Sequence, residues 1–143
     1  VTSRGLERLT EEECRALLRG HTLGRIAVRI GEAPAILPVN YAMLDDDVVF
    51  RTDPGSKLSA ALMRVLVAFE VDEVDEAAHG GWSVLVTGYV EPVDDQETLE
   101  RIAALDLRPW VTEGRDYVAR IRTRTISGRR LRTEDQAEGD PWT

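Results

Sequence analysis

The sequence predicts a mainly β protein: a six-stranded antiparallel barrel with three short peripheral helices. Three observations carry that expectation. Apolar residues recur at period two in six separate stretches, the links between most of these are short polar or glycine turns, and no βαβ alternation occurs. Closing such a sheet into a barrel removes its exposed edges.

The elements follow in order. Thr10 to Glu13 reads as a capping box, Cys14, Leu17 and Leu18 form a narrow apolar stripe, and Gly20 is a helix stop, so a short helix is expected there with Cys14 in the core. Leu23 to Ile30 alternates Arg25, Ala27 and Arg29 against Gly24, Ile26 and Val28, the pattern of a half-buried strand. A turn at Gly31-Glu32 leads into a second strand, Ala33 to Leu44, whose Pro34 and Pro38 require an edge or a bulge. Asp45 to Asp47 is a polar turn before a third strand, Val48 to Thr52. A helix over Lys57 to Arg64 and a strand over Val65 to Val71 come next. Trp82 to Val93 is another strand, with Gly88 as a bulge or close-approach point. Glu97 to Leu107 has helical spacing, and Tyr117 to Leu131 is the last long strand. Residues 133–143 are acidic and poor in apolar side chains, so the chain divides into one domain over 1–132 and a loose tail.

Composition narrows the function classes. Eighteen basic against twenty-six acidic residues leave a net charge of −8, which disfavours a general nucleic-acid or membrane-surface binder. Cys14 is the only cysteine, and His21 and His79 stand far apart, so neither a disulfide framework nor a zinc site is expected. With no long apolar run and a charged start, a cytoplasmic location is expected. All basic residues but one are arginine, and the exception is Lys57. The seven arginines of 115–132 suggest a solvated strand face or pairing with the acidic run Glu70 to Glu76.

Lys57 lies in the most informative segment, Phe50-Arg51-Thr52-Asp53-Pro54-Gly55-Ser56-Lys57-Leu58. A strand ending in a guanidinium and a hydroxyl, then a glycine turn and a helix start near serine and lysine, suits a phosphate. The same spacing also describes a plain strand-turn-helix in which Ser56 caps the helix and the cations are solvated. The Walker pattern is absent.

Taken with Pro38-Val39-Asn40-Tyr41, Val67 to Asp72, Gly81-Trp82-Ser83-Val84, Thr87-Gly88 and Ile126 to Leu131, the chain resembles the pyridoxamine 5′-phosphate oxidase-like family of split barrels over about residues 6–132. It is most similar to the small bacterial branch that includes nitroimidazole-resistance-type flavoproteins. The resemblance implies an FMN-binding split β-barrel and a homodimer with cofactor sites at the subunit interface. It implies that Arg51 and Lys57 bind the FMN phosphate, helped by Thr52 and Ser56. Pro38, Val39, Asn40 and Tyr41 would run along the isoalloxazine, Phe50 and Phe69 would line its apolar side, and Trp82 and Ser83 would lie close to the ring. Trp82 also has a plain reading as a core anchor or dimer contact. Arg129 and Arg130 occupy the region where full-length oxidases hold the substrate phosphate, but the surrounding pattern differs.

The implied activity is an oxidoreductase that transfers hydride through flavin N5 to a small organic acceptor or oxygen. Tyr41 and His79 are the candidate proton donors. Two alternatives stay open: a deazaflavin-dependent reductase on the same fold, and a flavin-binding or sensing module without turnover.

Overall fold

The alternating stretches form strands because their apolar residues can all be turned to one side of a sheet. A computed structural model describes residues 5–53, 55–105 and 117–131. Its elements are β1 (Leu6–Arg8), α1 (Glu11–Arg19), β2 (Leu23–Ile30), β3 (Ala33–Leu44), β4 (Asp47–Thr52), α2 (Lys57–Leu62), β5 (Leu66–Asp75), β6 (Gly80–Val93), α3 (Gln96–Ala103) and β7 (Tyr117–Leu131). The acidic tail lies outside the described residues.

The strands run in the order β1-β7-β4-β3-β2-β5-β6, and a further β6–β7 pairing closes the sheet on itself. Six strands thus form the ring that the sequence predicts. The seventh, β1, corrects the count: it pairs three residues onto the end of β7, Leu6 opposite Leu131 to Arg8 opposite Arg129. Three residues are too short to show a period, which is why the pattern missed it.

Inside the ring, Ile26, Phe50, Phe69, Val84, Val86 and Ile121 are all essentially inaccessible to solvent. Helix α1 closes one end by burying Cys14 and Leu18 in the same cluster. Its start is fixed by the predicted capping box: Glu13 N–H donates to Thr10 Oγ1 at 3.1 Å, and Thr10 N–H donates to Glu13 Oε1 at 3.0 Å. Burial pushes the Cys14 thiol up, so it is a core group and not an activated nucleophile.

A second, smaller cluster lies on the outside of the ring. Leu44, Val49, Val93 and Val118 are buried there with Ile102 of α3. Helix α3 therefore covers one part of the outer surface and leaves the β3–β2–β5–β6 part open.

The prolines of β3 fall where its N-terminal half has only one partner strand, since β3 meets β4 from Tyr41 onward. Tyr41 N–H donates to Thr22 O, which puts Arg25↔Pro38 and Arg29↔Pro34 at non-hydrogen-bonded positions. Their nitrogens face the open side, so proline costs the ladder nothing.

At Gly88 the pairing of β6 with β7 slips: Thr87 faces Thr125 while Gly88 faces Thr123, leaving Arg124 as the extra residue. Of the two readings of the β7 arginines, pairing with 70–76 is not seen among the described residues. Arg120 pairs with Asp47 at 2.8 Å, Arg122 with Glu91 at 2.6 Å and Arg130 with Glu13 at 3.7 Å. The acidic run is met instead by Arg25 and His21, because β2 and not β7 lies beside β5 where it carries those carboxylates.

Candidate flavin-binding face

On the open outer face the strand register lines side chains into rows. One row runs Pro38, Arg25, Glu70, Leu85, Ser127 from β3 through β2, β5 and β6 to β7. The next runs Ile36, Ala27, Ala68, Thr87, Thr125, and the two threonine hydroxyls are hydrogen-bonded to each other. Two alanines side by side leave a depression among larger neighbours. It is a cleft of ≈ 410 Å³, lined by Ala27, Ala68, Ile36 and Leu85 and bounded by Arg25, Glu70 and Asp72. Ile36 is 70% exposed and Leu85 43%, so the face is apolar as well as open.

The expected site residues divide between the two sides of the sheet. Pro38, Asn40, Arg51 and Ser83 share the outer parity, with Asn40 opposite Leu23 and Ser83 opposite Asp72. Asn40, Arg51 and Ser83 are half-buried, and Pro38 is exposed. The β3–β4 pairing ends at Tyr41↔Phe50, and Asn40 and Arg51 are the next residue on each strand beyond it.

The other expected residues on the strands face inward. Val39 packs against the core, and Tyr41, Phe50 and Phe69 lie within it at 1%, 0% and 0% exposure. Tyr41 Oη donates to Leu18 O at 2.6 Å, and its ring meets Phe69 edge-on at 4.9 Å. Burial pushes the Tyr41 phenol well up, which keeps its proton in place. These three aromatics support the sheet from inside, with no exposed surface on which a ring could rest. Thr52 is buried as well, at 7% exposure.

Trp82 is half-buried at the rim of the core, with His21 edge-on at 4.7 Å. His21 is in turn 2.8 Å from Leu17 O through Nδ1 and 3.2 Å from Glu73 through Nε2. His79 sits in the β5–β6 turn with φ +53.

Ser56 is the N-cap of α2: its hydroxyl donates to Asp53 O at 2.8 Å and accepts from Ser59 N–H at 3.0 Å. Both capacities are used, so the capping role read from the sequence is real. Lys57 is the first residue of α2, whose first turn carries no acidic side chain.

The cleft residues themselves were not singled out by motif. Their signal was nevertheless there: Arg25 and Ala27 alternate together on β2, and Ala68, Glu70 and Asp72 alternate on β5. Among the described residues no group of three or more His, Cys, Asp or Glu could hold a metal ion. No helix among them is long and apolar enough to cross a membrane.

Comparison with known proteins supplies the context for this face. The profile of the pyridoxamine 5′-phosphate oxidase family matches residues 10–130. An uncharacterised protein of Mycobacterium tuberculosis is 35% identical over 135 residues, 91% of this chain and 88% of the relative. Among solved structures, an FAD-binding protein from Mycobacterium smegmatis superposes with a TM-score of 0.80 at 34% identity, over 88% of this chain and 98% of that one. An FAD-binding protein from Mesorhizobium loti does so with a TM-score of 0.69 at 28% identity, over 87% and 97%.

Proposed function

The chain belongs to the pyridoxamine 5′-phosphate oxidase family, and from that premise we propose that it is a flavoprotein whose outer sheet face holds the flavin. The observation that carries this reading is the cleft on the β3–β2–β5–β6 face, which stands on the same side of the sheet as Arg51 and Asn40.

The residues fit such a group. The apolar lining of Ala27, Ala68, Ile36 and Leu85 suits a flat heteroaromatic ring. Arg51 lies two strands over and two residues along from Arg25 at the edge of the cleft, about 12 Å by strand spacing and rise. That is the order of separation between the ring and phosphate of a mononucleotide. Arg51 therefore takes the phosphate with Lys57 at the start of α2, while Asn40 and Pro38 border the ring and Ser83 closes the row on β6. A bound flavin supplies hydride chemistry at N5, and the protein's part is to position it and exclude water.

FMN is the cofactor this reading takes, because the phosphate-binding residues account for a mononucleotide. Two structural relatives named as FAD-binding proteins favour FAD as the second choice, and deazaflavin is the third. The activity is an oxidoreductase acting on a small organic acceptor or oxygen. A second copy of the chain covers the open face, placing the cofactor between subunits.

An absorption spectrum of the purified protein, followed by acid release and mass measurement of the chromophore, tests the assignment. Flavin absorption with the mass of FMN is expected; a protein that takes up none of the three cofactors sinks it. Arg51→Ala should weaken FMN binding roughly 10- to 100-fold, the worth of one charge-assisted contact. Unchanged affinity by fluorescence titration would remove Arg51 from the phosphate site.

A further inference from the structure

At one point the open face sets two carboxylates against one guanidinium. Glu70 and Asp72 occupy alternate positions on β5 and point to the same side. Glu70 Oε1 is 3.4 Å and Asp72 Oδ2 3.1 Å from the same nitrogen, Arg25 Nη1. One guanidinium nitrogen thus serves two acids.

The neighbouring strands add no second cation at this point. Opposite Glu70 stands Leu85, opposite Asp72 stands Ser83, and opposite Arg25 on its other side stands Pro38. Glu73 has the inward parity and pairs with His21. Arg129 is one strand further on, beside Ser83, and Arg29 is two alternate positions away along β2. Partial burial first, then the hydrogen bond and repulsion from Asp72, push the Glu70 carboxyl up to about 7 against the pull of Arg25.

What covers this face is a second copy. Acid and base stand side by side on it, so the patch is complementary to itself, as a two-fold contact requires. Ile36 and Leu85 line the cleft with exposed apolar surface. Association by adding a strand to the neighbouring β3 edge is blocked by Pro34 and Pro38, which leaves face-to-face contact.

We propose that this association is proton-linked: in the covered face Glu70 and Asp72 share one proton above Arg25, so each joined face takes up a proton as two copies meet. The proposal rests on the dimer given above. Removing two carboxylates and one guanidinium from water leaves an unpaired negative charge, which a proton cancels. The sign follows: the covered form binds the proton more tightly than the open one, so association is strong below about pH 7 and weakens above it.

Sedimentation of the purified protein between about pH 6 and about pH 8.5, at fixed ionic strength, reads this directly. The dimer dissociation constant should rise at least about tenfold over that range. Glu70→Gln, which mimics the protonated acid without moving its atoms, should remain dimeric at high pH and flatten the profile, and Asp72→Asn should do the same. A dimer with a flat profile in the unmodified protein, or a slope that survives in both variants, overturns the proton link alone. A monomer at every pH overturns the dimer and the proton link together.

Discussion

Gly88 shows how much a single residue can be asked to do. A Cβ built on it would lie 2.1 Å from Arg122 O, 2.8 Å from Arg122 C and 2.9 Å from Ile121 Cγ2. The first two contacts are backbone of β7, so no flexible side chain can move aside. Gly88→Ala should therefore destabilise the protein by roughly 2 kcal/mol or more, read as a lower urea midpoint with an unchanged slope. The need for a special residue at 88 was legible in the sequence, because glycine interrupts an otherwise apolar-alternating strand. Tyr41, Phe50 and Phe69 were less legible. An aromatic on an alternating strand belongs to one of two faces, and only the register decides which is the core. For Phe69 a second signal existed: Gly24 leaves room for its ring, since a Cβ there would stand 2.3 Å from Phe69 Cζ. That contact joins β2 to β5, and no local pattern announces it.

At the level of elements, legibility followed the strength of the local signal. Helix α1 has a reciprocal cap, and its start at Glu11 agrees with the sequence reading. Thr10→Ala removes the hydroxyl that accepts from Glu13 N–H and should cost about 1 kcal/mol, measurable as a lowered thermal midpoint. Helix α2 ends at Leu62, two residues early, because Met63 is already extended and Arg64 has φ +62. Nothing in the residue types of that turn forecasts the left-handed conformation. Strand β5 runs on to Asp75 where the sequence suggested Val71, since its end beyond Val71 is held by four pairs with β6 and not by its own propensity. The partners of the β7 arginines were illegible for the same reason. Asp47 receives Arg120 at 2.8 Å and Thr123 N–H at 2.9 Å, contacts set by the β4–β7 pairing across more than seventy residues.

On the scale of the whole molecule, the closed sheet has a filled interior, so any ligand of substance must bind outside it. Helix α3 and its cluster take one part of that outside, and the cleft lies on the part left open. A third of the family-derived site, Pro38, Asn40, Arg51 and Ser83, has this outer parity, and the alternation of Arg25 with Ala27 had already pointed to the same face. If cofactor and second copy share the face, they cannot be separated by mutation at its centre. Ile36 provides the test, being 70% exposed and opposite Ala27 in the cleft row. Ile36→Glu adds a charge to a covered apolar contact but leaves the single chain's core untouched. Its folding stability should change by no more than about 0.5 kcal/mol. The dimer should dissociate in sedimentation, and FMN affinity should fall with it, because Ile36 lines the cleft itself and a site between subunits also loses one wall when they part. A folded monomer that kept its FMN affinity would instead place the whole cofactor site within one chain and away from Ile36.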